Sequence, residues 1–149
     1  MTEAGESFND LLAIARLRQT QRMRAELAKR GFDDFRRGDG AWIRILGDSP
    51  RSLGEVAQIV GVSPQAATKM ADTLEQRGYV ERHDDPAYRR RVVLDLTPHG
   101  EKYLRANVET VDVLDEAIRS RVPESALEIA RSVLSVVIAE GDVGGLGET

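Results

Sequence analysis

The segment from Ser52 to Val80, SLGEVAQIVGVSPQAATKMADTLEQRGYV, restricts the fold more than any other part of the chain. Ser52 with Glu55 three residues later is the capping-box pattern of a helix start, and the apolar spacing continues that helix to about Val60. Gly61 follows, and glycine adopts the left-handed conformation at a helix C-terminus at little cost. The pattern therefore predicts a short helix that ends in a tight turn.

A second helix is predicted directly after this turn. Ser63 is a good N-cap, and Pro64 takes the first helical position, where its missing N–H is not needed. The helix should run to about Arg77 and stop at Gly78. Apolar residues at intervals of three and four predict a buried face, made of Ala67, Met70, Ala71 and Leu74. The exposed face should then carry Gln65, Thr68, Lys69 and Asp72.

A β-hairpin is predicted after these two helices. The segments YVER (79–82) and VVLDL (92–96) are short and rich in β-branched or aromatic residues. Pro86 and several polar residues separate them, so the tip should lie near residues 86–90. Three consecutive arginines occupy the tip and the start of the returning strand, namely Arg89, Arg90 and Arg91. A run of charge is often only a solvated surface, but beside a helix-turn-helix it favours contact with phosphates.

Long helices are predicted on both sides of this region. Residues 7–30 contain no Pro or Gly and consist largely of helix formers. Thr97 and Pro98 begin a helix that can reach Arg121, and Pro123 begins the last one. A shorter helix, AWIRIL (41–46), should turn Trp42, Ile43 and Leu46 towards the core.

These elements predict a mainly α-helical fold with a small β-hairpin wing. We place a winged helix-turn-helix lobe at residues 40–97, hereafter the winged lobe, within a single domain that covers residues 1–149. Residues 7–30 and 98–139 have more apolar surface than one small lobe can cover, which favours dimerisation helices over a bundle within one chain. The glycine-rich tail, 141–149, is expected to be disordered.

Composition narrows the function further. The chain has no cysteine, which excludes disulfides and thiolate metal sites. An acidic, polar N-terminus and the lack of a long apolar run predict a cytoplasmic protein with no membrane segment. The net charge of -4 argues mildly against nucleic acid, but basic residues cluster in the first helix and at the hairpin tip, while residues after Asn107 are mostly acidic.

The exposed face of the second helix of the helix-turn-helix, hereafter the recognition helix, indicates how DNA could be read. Gln65 can reach an adenine edge and Lys69 a guanine or a phosphate in a major groove, and Thr68 a phosphate or a thymine methyl. Ser63 at the helix start is expected to hold a phosphate. The alternative for a lone helix is that these side chains form an ordinary solvated face.

The segment LGEVAQIVGVSPQAATKMADTLEQRGYVERHDDPAYRRRVVLDLTPHG resembles the DNA-binding lobe of the multiple-antibiotic-resistance regulator (MarR) family of bacterial transcription factors. The resemblance depends on LEQRGYVER, the arginine-containing wing and LTPHG taken together. It implies a homodimeric repressor on a pseudo-palindromic operator, without a cofactor. The wing motif of the family is Asp-x-Arg with its arginine in the minor groove, and that arginine falls on Arg90; Arg89 and Arg91 would then contact phosphates.

This sequence departs from the family at the wing. Tyr88 occupies the position of the motif's aspartate, so a charge-assisted pair to the tip arginine is replaced by a neutral hydroxyl or an aromatic face. Asp84 or Asp85 could substitute for it.

The resemblance also implies a site for a small anionic or aromatic effector between the lobe and the long helices. Arg16 or Arg18, with Trp42 and Tyr103, could line it, although a tryptophan in a short apolar helix is more often part of the core. Such an effector would have to prefer one spacing of the two recognition helices.

Other functions have less support in the sequence. His83 beside Asp84 and Asp85 lacks the spacing of a metal site, so we expect none. No nucleophile, base and orienting acid can be assigned, so an enzyme is not expected. The alternative to a DNA-binding regulator is a winged-helix module that binds another protein, which the negative charge and Tyr88 favour slightly.

Overall fold

The computed structural model describes residues 7–88 and 90–144, without the side chains of 141–144. Within these residues, six helices and three strands follow one another: α1 (Phe8–Lys29), α2 (Asp39–Asp48), β1 (Arg51–Ser52), α3 (Leu53–Val60), α4 (Pro64–Gln76), β2 (Val80–Asp84), β3 (Val92–Leu96), α5 (Pro98–Arg119) and α6 (Glu124–Gly144). By its internal contacts the chain divides into two units, residues 1–111 and 112–149. The predicted mainly helical fold with a small wing is confirmed.

The helix-turn-helix forms for the local reasons given by its sequence. Ser52 and Glu55 complete a reciprocal capping box at the start of α3. Gly61 ends α3 with a φ of 77°, in the region that only glycine occupies at little cost, and its N–H donates to the Ala57 carbonyl. The Ser63 hydroxyl then accepts from the Ala66 N–H at 3.2 Å and caps α4. Both predicted helices and the turn between them are therefore confirmed.

The wing is one strand larger than predicted. β2 and β3 pair antiparallel, with Arg82 opposite Leu94 and Asp84 opposite Val92. The two-residue strand β1 pairs with the other edge of β3, where Arg51 lies opposite Leu94, so the sheet order is β1-β3-β2. A strand of two residues has no periodicity to read, which is why the sequence did not reveal it.

The core of the first unit joins α2, α3, α4 and the sheet. Trp42, Ile43 and Leu46 are buried as predicted, together with one face of α4 and the inner residues of β3. The buried side chains of α3, α4 and the sheet include Val56, Ala67, Ala71, Leu74, Val80, Leu94 and Leu96. Gly100 in the first turn of α5 allows close packing, because a Cβ there would lie 2.0 Å from the Tyr79 carbonyl oxygen.

Two helix ends differ from the predictions. α5 ends at Arg119, two residues before the predicted end at Arg121. α6 continues to Gly144, so residues 141–144 of the expected disordered tail are helical, while residues 145–149 lie outside the described residues. In the part of the chain that the structure describes, no helix has both the length and the apolar content needed to cross a membrane.

Candidate nucleic-acid interface

The start of α4 presents a polar, solvent-exposed surface. Ser63, Gln65, Thr68 and Lys69 are all exposed, whereas Ala67, Ala71 and Leu74 on the opposite face are buried. The Thr68 hydroxyl donates to the Pro64 carbonyl at 2.9 Å. Gln65 and Lys69 make no side-chain hydrogen bond to another described residue, and their polar groups remain available to a ligand.

The tip of the wing is a compact turn built on Asp85. The Asp85 N–H donates to the Arg91 carbonyl at 2.7 Å, and the Asp85 carboxylate accepts from the Ala87 N–H at 2.9 Å. Arg90 is exposed in this turn. Arg89 lies outside the described residues, so its predicted phosphate contact remains a prediction.

Arg91 is paired with carboxylates. Its guanidinium forms an ion pair with Glu55 of α3, and its Nε lies 3.6 Å from the Asp85 carboxylate. The Arg91 Cζ lies over the Tyr88 ring, 5.9 Å from the ring centroid. Tyr88 itself is 63% exposed at the tip. The predicted phosphate contact of Arg91 remains a prediction, and two acids already neutralise this side chain. Within the wing, Asp85 supplies a carboxylate to Arg91, and Tyr88 supplies an aromatic ring.

A buried ion-pair network fixes the other end of α4. Arg77 donates to both oxygens of the fully buried Asp39, at 2.9 and 2.8 Å, and to the Asp34 carboxylate at 3.0 Å. The Tyr79 and Tyr103 hydroxyls donate to Asp34 and Asp39, at 2.6 and 3.3 Å. The network connects the C-terminus of α4 to the start of α2.

The network shifts the pKa values of Asp34, Arg77, Tyr79 and Tyr103. Burial disfavours the charge of Arg77, but hydrogen bonds and attraction from Asp39 and Asp34 outweigh it and raise the pKa of Arg77. Burial and nearby carboxylates raise the pKa of Tyr79 and of Tyr103, so both hydroxyls stay protonated. For Asp34, burial is outweighed by hydrogen bonds from Tyr79 and Arg77, which lower the pKa of that carboxyl. All of these groups therefore keep their donor and acceptor roles near neutral pH.

A separate cavity of about 420 Å³ lies beside α1, within the first unit. Three arginines line it, Arg16, Arg37 and Arg44, together with Phe35 and the buried amide of Asn107. No carboxylate is among its described lining residues, so the cavity is positive. Trp42 and Tyr103, which the sequence suggested for an effector site, do not line it; both lie in the core, and Tyr103 is fully buried.

A metal site finds no support at the predicted hairpin histidine. The Nε2 of His83 lies 2.9 Å from Glu81, in an exposed pair. Among residues 7–88 and 90–144, no group of three or more His, Asp or Glu side chains is arranged to hold a metal ion.

Similarity to known proteins includes the region that carries the site. A sequence model described as the MarR family matches residues 42–91, which include α3, α4 and the wing. The transcriptional regulator HosA of Escherichia coli O111:H- is 31% identical over 119 residues, which are 78% of this chain and 87% of that protein.

Solved structures resemble the fold over nearly the whole chain. A mutant of Escherichia coli MarR complexed with operator DNA has a TM-score of 0.71 at 18% identity, covering 91% of this chain and 99% of that one. The PcaV regulator of Streptomyces coelicolor, in complex with its natural ligand, has a TM-score of 0.76 at 14% identity, covering 93% and 96%. At these identities the two structures establish a shared fold.

Proposed function

The chain belongs to the MarR family of transcriptional regulators, and from that premise we propose that it binds a pseudo-palindromic operator as a homodimer and represses transcription by occluding the promoter. The observation that carries the proposal is the joint exposure of Gln65 and Lys69 at the start of α4 and of Arg90 at the wing tip. The exposed surface of the first unit thus offers a hydrogen-bonding helix end and a cationic tip, which suit a major and a minor groove.

Each side chain on this surface has a proposed role. Gln65 and Lys69 read base edges in the major groove, and Thr68 contacts a phosphate or a thymine methyl. Ser63 contacts a phosphate while it caps α4. Arg90 enters the minor groove, where a narrow A·T-rich segment concentrates negative potential. Arg89 would hold a neighbouring phosphate.

The proposed homodimer is supported by apolar surface on the long helices. Phe8, Leu11, Ile14 and Leu17 of α1 are each about half exposed, and so are several apolar residues of α6. A second copy of the chain can cover these faces and, through a two-fold axis, place two recognition helices about 34 to 36 Å apart, one turn of DNA.

The arginine-lined cavity supports a small anionic effector with an apolar part. Arg16, Arg37 and Arg44 can pair with a carboxylate, while Phe35 offers an aromatic face. Occupation would change DNA affinity only if the compound prefers one spacing of the recognition helices. Competition by small aromatic carboxylates in a DNA titration tests this part.

The proposal includes no enzymatic activity, in keeping with curated relatives named as transcriptional regulators. A cytoplasmic location follows from the proposed DNA partner.

The test of DNA recognition is selection of bound duplexes from a random pool by the purified protein. We expect enrichment of an inverted repeat whose half-sites are centred about one helical turn apart. No enrichment, with the folded dimer present, would contradict the proposal and favour a protein-binding module.

Arg90→Ala tests the wing contact on the selected duplex. Affinity should fall by about 1 to 3 kcal/mol, and more at A·T-rich flanks than at G·C-rich flanks, because the guanidinium responds to minor-groove width. Fluorescence anisotropy titrations measure both. An unchanged titration curve would remove Arg90 from the interface.

A further inference from the structure

Ion pairs attach the wing to both helices of the helix-turn-helix. On β2, Arg82 pairs with Asp72 and Glu75 of the recognition helix, at 2.5 and 2.7 Å. Directly before β3, Arg91 pairs with Glu55 of α3. We propose that these pairs form a clamp, in which Glu55 and Arg91 are positioning residues that set where the wing tip lies relative to the recognition helix. The inference rests on the proposed DNA binding.

Glu55 is suited to this role because its two carboxylate oxygens do different things. One oxygen accepts from the Ser52 N–H at 3.3 Å and completes the capping box of α3, while the other pairs with Arg91. The carboxylate is therefore held by a helix end before it meets the wing. A rigid acid at this position fixes Arg91, and with it the adjacent turn that carries Arg90.

Asp85 completes the clamp within the wing. Its carboxylate lies 3.6 Å from the Arg91 Nε, and its backbone N–H donates to the Arg91 carbonyl. Asp85 thus supplies a carboxylate near the wing arginines in a chain that has Tyr88 where the family has aspartate. With two acids around one guanidinium, Arg91 orients the tip and the neighbouring Arg90 remains free to meet DNA.

A clamp at both edges of the hairpin restricts its swing in a way that one pair cannot. An exposed ion pair alone contributes little, but Arg82 on β2 pairs with α4, and Arg91 directly before β3 pairs with α3. The spacing between the wing tip and the start of α4 then becomes a fixed property of the free protein. Preorganised spacing favours binding in two adjacent grooves at once.

Glu55→Gln isolates the clamp, since glutamine can also serve as the third residue of a capping box. The variant should bind the selected duplex about three- to tenfold more weakly, the range of a single partly exposed ion pair. The sign is diagnostic, because removing a negative charge near a polyanion would otherwise strengthen binding. Asp84→Asn is the matched control: Asp84 lies on the same wing, forms no ion pair with another described residue, and should give equal or tighter binding.

Two further measurements separate positioning from a general loss of structure. In an Arg90→Ala background, Glu55→Gln should have little additional effect, since the tip it positions has lost its contact. Hydrogen exchange of the wing amides without DNA should be faster in Glu55→Gln than in Asp84→Asn, while exchange in α4 is unchanged.

The outcomes distinguish failure of the clamp from failure of DNA binding. If the unmodified protein binds duplexes but Glu55→Gln binds equally or more tightly, or weakens binding as much with Arg90→Ala as without it, the clamp is wrong. If no duplex is bound, the proposed function fails, and the exchange experiment still decides the clamp: unchanged wing exchange in Glu55→Gln would overturn it.

Discussion

The winged lobe and the last helix differ in how far they bury their apolar side chains. Val56, Ala67 and Leu74 in the lobe are fully buried. In α6, no residue whose side chain is described is buried, and Ile129 and Ile138 are each 66% exposed. The lobe therefore contains its own hydrophobic core, whereas α6 has a sequence suited to burial that this single chain does not provide.

The side-chain pattern of α6 makes the contrast clearer. Most of its polar residues lie on one side of the helix, called here the polar stripe, where Arg131 pairs with Glu124 at 3.0 Å and Ser135 donates to the Arg131 carbonyl. Most of the remaining surface is apolar. A helix that is apolar over most of its circumference is normally enclosed by other elements. The exposed apolar face of α6 therefore indicates a surface for a partner, whereas the lobe buries its apolar residues within itself.

Breaking the buried network around Arg77 should cause the largest loss of stability in the lobe. Arg77→Met leaves Asp39 buried and unpaired, so the free energy of unfolding should fall by about 3 to 5 kcal/mol. Urea denaturation followed by the fluorescence of Trp42, the single tryptophan, measures the change.

Arg82→Met is the control for this experiment, because Arg82 also pairs with two acids but is 39% exposed. It should cost no more than about 1 kcal/mol. Equal losses in the two variants would show that burial of the Asp39 pair does not support the lobe.

A charge on α6 should break association and leave the lobe intact. Leu134→Glu places a carboxylate on the apolar surface, and the dissociation constant of the dimer should rise at least about tenfold because the charge cannot be buried without a partner. Sedimentation velocity over a range of concentrations measures it.

Ser135→Glu, on the polar stripe of the same helix, is the matched control and should associate normally. If both variants remain dimers with the same dissociation constant, α6 is not part of the contact between subunits. An unchanged denaturation curve for the lobe is expected in both.

Lowering the pH should give the smallest of these effects on the stability of the first unit. The pKa of Asp34 is lower in the folded chain than its ordinary value of 3.8, so its ionised form stabilises the fold above that pH. This stabilisation is lost as the pH falls below 3.8 towards the folded pKa. Asp34→Asn should therefore lose less stability than the unmodified protein between about pH 4 and pH 2.

Urea midpoints at several pH values check this prediction. The difference should be modest, since the Asp34 side chain is 39% exposed and partly screened by water. If the urea midpoints of the two proteins fall in parallel with pH, Asp34 has the same pKa in the folded and the unfolded chain, and the prediction is wrong.

Sequence reasoning succeeded where structure is determined locally. The caps at Ser52 and Ser63 and the turn at Gly61 depend on a few neighbouring residues, and all three are confirmed. The buried face of α4 was equally predictable, because its period is a property of the helix itself.

What the sequence did not reveal depends on contacts between distant positions. Asp39 and Arg77 are 38 residues apart, and nothing in either local sequence distinguishes them from solvated charges. The same holds for the pair of Glu55 with Arg91, which gives an arginine predicted for phosphate another partner. Arg16 lines a cavity, and its role in binding an effector stays a prediction; Tyr103 lies in the core, because an aromatic residue in a helix can equally belong there.

The most direct test of the central claim is titration of the selected duplex at two salt concentrations. A dimer that neutralises several phosphates must lose affinity steeply as salt rises, by about tenfold or more between 50 and 200 mM for each few phosphates contacted. The account predicts that steep dependence. An affinity that hardly changes with salt would contradict DNA as the ligand of this surface and favour a protein partner.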